Sequence, residues 1–371
     1  MKLFIIFAVG CVIMKSGHAQ QPFSVEPALG KVGPEENLRW YDATLLQIEG
    51  RGWDETEESY DRLPSKAKGK VPNEVWEMSK DSSGLAVRFS ADTSVIQVRW
   101  TLKKTALALP HMPATGVSGV DLYSRNEAGN WEFVNNGRPG GLSNQVAFRV
   151  RPGRELLLYF PLYNGVRSLE IGIPEQSRLL KSANYSGGRK EPLVFYGTSI
   201  TQGACASRPG MAATALVGRS LNIPVINLGF SGSGKMEMEM AKLLAELEPS
   251  IYILDCLWNM TPDLVAERVM PFVRFLRIHR PNVPIVLVED SHLWGISPTD
   301  KGKILREQFD LLEADGLRNL YFMSNQGMLG IDGEATVDRT HPNDVGFLRQ
   351  AEVFAEFLAP LLKRTPSSQN E

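Results

Sequence analysis

Hydrophobic and polar positions follow two different rhythms along this chain. In "VIQVRWTLK" (95–103), Ile96, Val98, Trp100 and Leu102 alternate with Gln97, Arg99 and Thr101. That is the period of a half-buried strand. "GVDLYSR", "WEFV", "VAFRV", "ELLLYFPL" and "SLEIGIP" are further short strand-like runs, separated by "NEAGN", "NNGRPGG" and "YNGV". Many short strands with polar, glycine-rich turns and almost no helical period predict an antiparallel β-sandwich over residues 20–180. Within it, "DETEESYD" (54–61) and "KAKGK" (66–70) read as solvated, charged loops.

After the "KSANYSGGRK" linker the rhythm changes. Apolar runs at 192–196, 224–228, 251–257, 283–288 and 319–323 alternate with longer segments of helical period. Over 262–279, Val265, Val269, Phe272, Val273 and Leu276 share one helix face; over 344–362, Phe347, Ala351, Phe354, Leu358 and Leu361 do the same. Strands that are apolar throughout and alternate with helices predict a five-stranded parallel sheet covered on both faces, an α/β domain over residues 190–364. "RTPSSQNE" leaves a loose tail at 365–371.

The chain has 371 residues, 43% hydrophobic and 22% charged, with a formal charge of -2. This balance argues for a globular protein and against a nucleic-acid partner. The opening "MKLFIIFAVGCVIMKSGHAQ" reads as an export leader over residues 1–19, with Lys2 before an apolar stretch and Gly17-His18-Ala19 as the cleavage site. Its apolar core is too short to span a bilayer, and no later run is longer. Lipoprotein anchoring at Cys11 is disfavoured because too little apolar core precedes that cysteine. The expected location is periplasmic or secreted. Cys205 and Cys256 would remain, enough for one bridge or two buried thiols but not for a disulfide framework or a thiolate metal site. "DGEATVD" (332–338) lacks the alternating oxygen ligands of a calcium loop, so neither a metal nor a cofactor is expected.

In a parallel sheet, ligands sit beyond the carboxyl ends of the strands. Gly197-Thr198-Ser199 follows the first strand, "SGSG" the second, Asn259 the third, "SHLWG" the fourth, and a loop with "VDRTHPND" the fifth. Thr198 or Ser199 could simply cap a helix, but Asp338-x-x-His341 changes the weighing. A carboxylate three residues before an imidazole can fix its tautomer and stabilise its charged form. Ser199 would then be a nucleophile, His341 its base and Asp338 the orienting acid. Gly232, Asn259 and the Ser199 amide are candidate donors to an oxyanion. His292, with Asp290 two residues before it, is a rival base. His111 lies in the β half, and His279 reads as a cation at a helix end. Trp258, His292 and Trp294 are candidate substrate contacts. "GFSGSGK" (229–235) fits a phosphate loop until Met236, where a magnesium-binding hydroxyl is needed.

These blocks resemble the SGNH (GDSL-type) hydrolase superfamily: "GTSITQG", "NLGFSGSG", "LWNM" and "DRTHP", in that order. "GVDLY" (119–123) is similar to the signature of a β domain that precedes the hydrolase in exported bacterial two-domain esterases. The resemblance implies a three-layer α/β/α hydrolase with Ser199 as nucleophile, His341 and Asp338 as base and orienter, and Gly232 and Asn259 in the oxyanion hole. It implies short acyl, above all acetyl, esters on carbohydrate as substrates. A lipolytic or thioester hydrolase, or a non-catalytic carbohydrate-binding protein, are the alternatives. Thr198 and Met260 depart from the family pattern, where aspartate is usual.

Overall fold

The computed structural model describes residues 23–33, 37–183, 185 and 191–364. The leader expected at 1–19, with Cys11, and the tail at 365–371 lie outside these residues, as does most of the "KSANYSGGRK" linker. Among the described residues no helix is long and apolar enough to cross a membrane.

The first part is built from two antiparallel sheets. Its strands are β1 (Lys31–Val32), β2 (Leu38–Asp42), β3 (Gln47–Glu49), β4 (Ala86–Ala91), β5 (Val95–Leu102) and β6 (Val120–Arg125). They continue with β7 (Trp131–Gly137), β8 (Ser143–Arg149), β9 (Glu155–Tyr159), β10 (Val166–Pro174) and β11 (Leu179–Lys181). One sheet runs β1-β2-β10-β5-β8, the other β11-β4-β9-β6-β7 with β3 added against β4. The alternation in β5 turns Ile96, Val98, Trp100 and Leu102 inward, where they meet Leu122, Leu156 and Leu158 of the facing sheet. Two short helices, α1 (Asn73–Met78) and α2 (Ala114–Val117), interrupt the strands where the sequence pattern suggested almost none. The turn expected at "NNGRPGG" starts late, because β7 continues to Gly137. Asn136 there donates to the Val120 carbonyl, and Gly137 leaves room for the Trp100 ring, which a Cβ would meet at 3.0 Å.

The second part interleaves β12 (Leu193–Gly197), α3 (Ser199–Gln202), α4 (Ala213–Leu221), β13 (Val225–Gly229), α5 (Met238–Leu244) and β14 (Ile251–Asp255). It closes with α6 (Pro262–His279), β15 (Ile285–Val288), α7 (Asp300–Ala314), β16 (Leu320–Met323) and α8 (Asp344–Arg364). All five strands are parallel, in the order β13-β12-β14-β15-β16. Helices α5, α6 and α7 cover one face, with Val265, Val269, Phe272, Val273 and Leu276 of α6 fully buried. Helices α4 and α8 cover the other, through Val217, Ala351, Phe354 and Leu358. The chain leaves β12 toward β13 on one side and returns to β14 on the other. The carboxyl end of β12 is therefore the topological switch point, where an open α/β sheet offers a crevice.

The two parts share core. Leu63, Ala67, Val71, Val75 and Trp76, upstream of β4, pack into the same cluster as Tyr196, Met240 and Leu244 of the α/β half. The charge runs expected to be solvated are mostly exposed, as at Asp54, Glu55, Glu57, Glu58, Lys66, Lys68 and Lys70, but the end of the first and Ala67 of the second turn inward. Tyr60 and Asp61 are buried, and Asp61 takes ion pairs from Lys80 and Lys103. An acid can be buried at this junction because both partners come with it. A second shared cluster joins Met112, Val117 and Leu162 of the β half to Ile200, Met211 and Phe347.

Candidate active site

The site begins at a sharp strand-to-helix corner. A Cβ on Gly197 would lie 2.1 Å from the Thr201 hydroxyl and 2.5 Å from the Asp255 carbonyl, so only glycine lets α3 fold back this tightly. Thr198 caps α3, its hydroxyl accepting from the Ile200 N–H at 3.3 Å. The capping reading and the chemical reading thus both hold, on neighbouring residues. Ser199, the first residue of α3, is buried to all but 8% of its surface.

Ser199 Oγ lies 2.9 Å from His341 Nε2, and His341 Nδ1 lies 2.7 Å from Asp338 Oδ2. The loop after β16 makes this arrangement locally. Asp338 Oδ1 accepts from the backbone N–H of Thr340 at 3.0 Å and of His341 at 2.7 Å. Arg339 between them adopts φ 73°. Partial burial pushes the Asp338 pKa up, but the hydrogen bonds from the His341 backbone and ring and from Thr340 outweigh it and hold the pKa at about 2. A second clip ties the start of α8 to the segment that follows α3. Asp344, the first residue of α8, accepts from the Ser207 N–H at 2.9 Å and from the Ser207 hydroxyl.

Gly232 sits at φ 71° and a Cβ there would meet nothing within 4 Å, so the glycine answers a backbone requirement rather than a crowded neighbour. Asn259 ends a short 3-10 turn and donates one amide hydrogen to the Ser233 carbonyl at 2.5 Å, and among the described residues no acceptor meets the other. Among the described residues no acceptor meets the backbone N–H of Ser199 or Gly232. Unpaired donors beside a serine–imidazole pair are what a developing oxyanion needs.

His292 does not approach the serine. Its Nε2 pairs with Asp290 at 3.1 Å, and its ring stacks on Trp258 at 4.7 Å between centroids. Trp258 is half-buried and donates to the Ser291 carbonyl at 3.1 Å. Trp294 is 53% exposed at φ 59°, with the Arg339 guanidinium 5.3 Å from its ring. His279 is exposed at the end of α6 and bonds the Phe275 carbonyl. Asp332 of "DGEATVD" is engaged by Arg349 at 2.7 Å. Cys205 and Cys256 are separate, buried, free thiols.

Four residues of the site escaped the sequence pattern. Gln202 accepts from the Ser231 N–H at 2.9 Å and donates to the Leu162 carbonyl at 3.1 Å, joining the serine helix, the glycine loop and the β half. Arg62 is buried and donates to the Gly229 carbonyl at 2.6 Å and the Asp81 carbonyl at 2.8 Å. The Tyr163 hydroxyl donates to the Ser199 carbonyl at 3.3 Å. His111 lies with its ring 6.0 Å from that of His341. The "GVDLY" stretch also acquires a physical role. Buried Asp121 accepts from the Gly210 N–H at 2.8 Å and from Arg208 at 2.9 Å, and Arg208 also reaches the Tyr123 hydroxyl. Burial raises the Asp121 pKa, opposed by these donors. The stretch therefore clamps the loop that follows α3.

Residues 190–359 match the GDSL-like lipase/acylhydrolase family, and residues 38–179 match the GxDLY N-terminus of SGNH-hydrolase-type esterases. A Bacteroides ovatus protein described as a GDSL-like lipase is 35% identical, with 88% of this chain and 98% of that one covered and a TM-score of 0.80. The salicylyl-acyltransferase SsfX3 of a tetracycline biosynthetic pathway shares the fold at 19% identity, 90% and 98% coverage and a TM-score of 0.69. So does a family two carbohydrate esterase from Cellvibrio japonicus, at 12% identity, 88% and 98% coverage and a TM-score of 0.59. A search of curated proteins found no match. The sequence blocks, the fold and the relative at 35% identity agree: the chain belongs to the GDSL-like lipase/acylhydrolase family and carries a GxDLY N-terminal domain.

Proposed function

We propose that the chain is an exported serine esterase that removes short acyl groups, acetyl first, from carbohydrate. The observation that carries this reading is the relay of Ser199, His341 and Asp338 at 2.9 and 2.7 Å, facing backbone donors that have no acceptor. Ser199 Oγ attacks the ester carbonyl while His341 Nε2 takes its proton. Asp338 holds the ring and stabilises the imidazolium. The Ser199 and Gly232 N–H groups and the second Asn259 amide hydrogen stabilise the tetrahedral oxyanion. His341 then protonates the departing alcohol, and water, deprotonated by His341, releases the acid and restores Ser199.

The carbohydrate part of the reading draws on the fold shared with family two carbohydrate esterases. It also draws on Trp258, His292 and Trp294, aromatic groups at the carboxyl edge that suit a sugar ring. Export rests on the leader-like first residues. The test is turnover of a chromogenic acetate, then of C2 to C8 esters, then acetate release from a panel of acetylated oligosaccharides. The expected result is a rate that falls steeply from C2 to C8, with acetate released from at least one oligosaccharide. A preference for C8 would favour a lipolytic enzyme instead. No turnover at all would favour a binding protein with an inactive hydrolase half.

A further inference from the structure

We infer that His111 is a specificity-determining residue, supplied by the β domain, that reads the alcohol side of the ester and favours hydroxyl-rich alcohols. This rests on the esterase reading above. His111 stands at the tip of a tight turn in which Leu109 and Met112 exchange two backbone hydrogen bonds of 3.0 Å. Pro110 and Pro113 restrict the backbone on either side of it. Met112 is 2% exposed and anchors the turn in the cluster that holds Ile200, next to the nucleophile, and Phe347 at the start of α8. The histidine is thereby fixed in place while its own side chain stays exposed.

Two observations give the position meaning. The one described contact of the His111 ring is with His341, at 6.0 Å between centroids, and among the described residues nothing hydrogen-bonds its nitrogens. A neutral imidazole then offers one donor and one acceptor, the pair that a hydroxyl can satisfy. Chemistry supplies the side. The departing oxygen must come within about 3 Å of His341 Nε2 to receive its proton. The acyl carbonyl oxygen is turned the other way, toward Gly232 and Asn259. The His111 ring, 6.0 Å from that of His341, is taken to border the alcohol rather than the acyl group. A hydroxyl there finds His111; an alkyl group does not.

The experiment compares wild type, His111→Ala and His111→Gln on two series of esters. One keeps acetyl and varies the alcohol through ethanol, glycerol, glucose and p-nitrophenol; the other keeps p-nitrophenol and varies the acyl group from C2 to C8. His111→Ala should lower kcat/KM about three- to ten-fold on the glycerol and glucose acetates, the scale of one hydrogen bond. It should change ethyl and p-nitrophenyl acetate less than about two-fold on the same scale, and leave the acyl-length profile unmoved. His111→Gln, which keeps a donor and an acceptor, should recover part of the loss. An equal loss on every alcohol, a shift in the acyl-length profile, or no change at all would overturn the assignment while leaving the esterase reading intact. Wild type inert toward every ester would instead overturn both.

Discussion

Two carboxylate–histidine pairs stand at the same edge of the parallel sheet, and only one of them meets a serine. Asp338 and His341 come from the loop after β16; Asp290 and His292 come from the loop after β15. The first pair is open: its side chains are 42% and 24% exposed, and His341 keeps Nε2 for Ser199. In the second only the acid is buried, since the His292 side chain, 33% exposed, is more open than that of His341. Asp290 has no exposed side-chain surface, and besides His292 it is met by Lys301 at 3.4 Å and by the Thr299 hydroxyl at 2.5 Å. His292 commits Nε2 to Asp290 and its face to Trp258. The contrast teaches that a carboxylate–imidazole pair is not by itself a catalytic device. What matters is which nitrogen is left over and what it faces.

The largest expected effect breaks the first pair. Ser199→Ala and His341→Ala should each lower kcat by roughly 10³-fold or more, and the double variant should be about as poor as either, since the two act as one unit. Additive losses in steady-state kinetics would contradict that unit. Asp338→Asn should cost less than either but still at least about 10²-fold, because the imidazole keeps its place yet loses both the charge that stabilises it and the acceptor that fixes its tautomer. Since, against partial burial, hydrogen bonds hold the Asp338 pKa at about 2, protonation of that carboxyl should leave no step in the rate profile above roughly pH 4. A carboxylate limb there would contradict the arrangement. Asn259→Ala should lower kcat on the order of 10²-fold with little change in KM, the scale of one oxyanion donor.

Breaking the second pair should act on substrate rather than on chemistry. His292→Ala is expected to raise KM about two- to ten-fold with kcat nearly unchanged, the scale of one aromatic contact. The smallest effect sharpens the picture beneath the site. Asp255, the β14 residue in register with Gly197 of β12, accepts from Thr201 at 3.0 Å, and burial with the nearby Asp290 charge raises its pKa to about 6. A carboxyl whose pKa is raised on folding destabilises the native state as pH climbs from its unfolded value through 6. Asp255→Asn should therefore stabilise the protein by about 1–3 kcal/mol above pH 7, and the gain should vanish near pH 4; thermal melts at both pH values test it.

Both pairs were legible in the sequence as spacings after strands, D-x-x-H and D-x-H, with His292 read as a rival base or a substrate contact. So were the five parallel strands and the buried faces of α6 and α8, because local periodicity carries that information. The junction between the domains was not. Asp61 and Arg62 look like solvent-facing charges, since nothing local announces that Lys80, Lys103 and the β13 carbonyls will arrive to pair them. His111 was placed in the β half and set aside, because only the tertiary fold brings a turn from residues 109–112 against a loop at 338–341. The shared core around Leu63, Val75 and Trp76 carries a further consequence. A fragment starting near Tyr185 would expose one end of the hydrolase core. Such a fragment should lose stability before it loses any particular substrate, which its thermal melt would reveal.

The most direct test of the central claim is covalent labelling by an aryl phosphonate, with the site read by peptide mass spectrometry and the rate followed in three proteins. Wild type and His292→Ala should be labelled at Ser199 at similar rates, and His341→Ala should react at least about 10²-fold more slowly, since a serine without its base is a poor nucleophile. Labelling at another residue, or a His292→Ala protein that fails to react while His341→Ala reacts normally, would contradict the account.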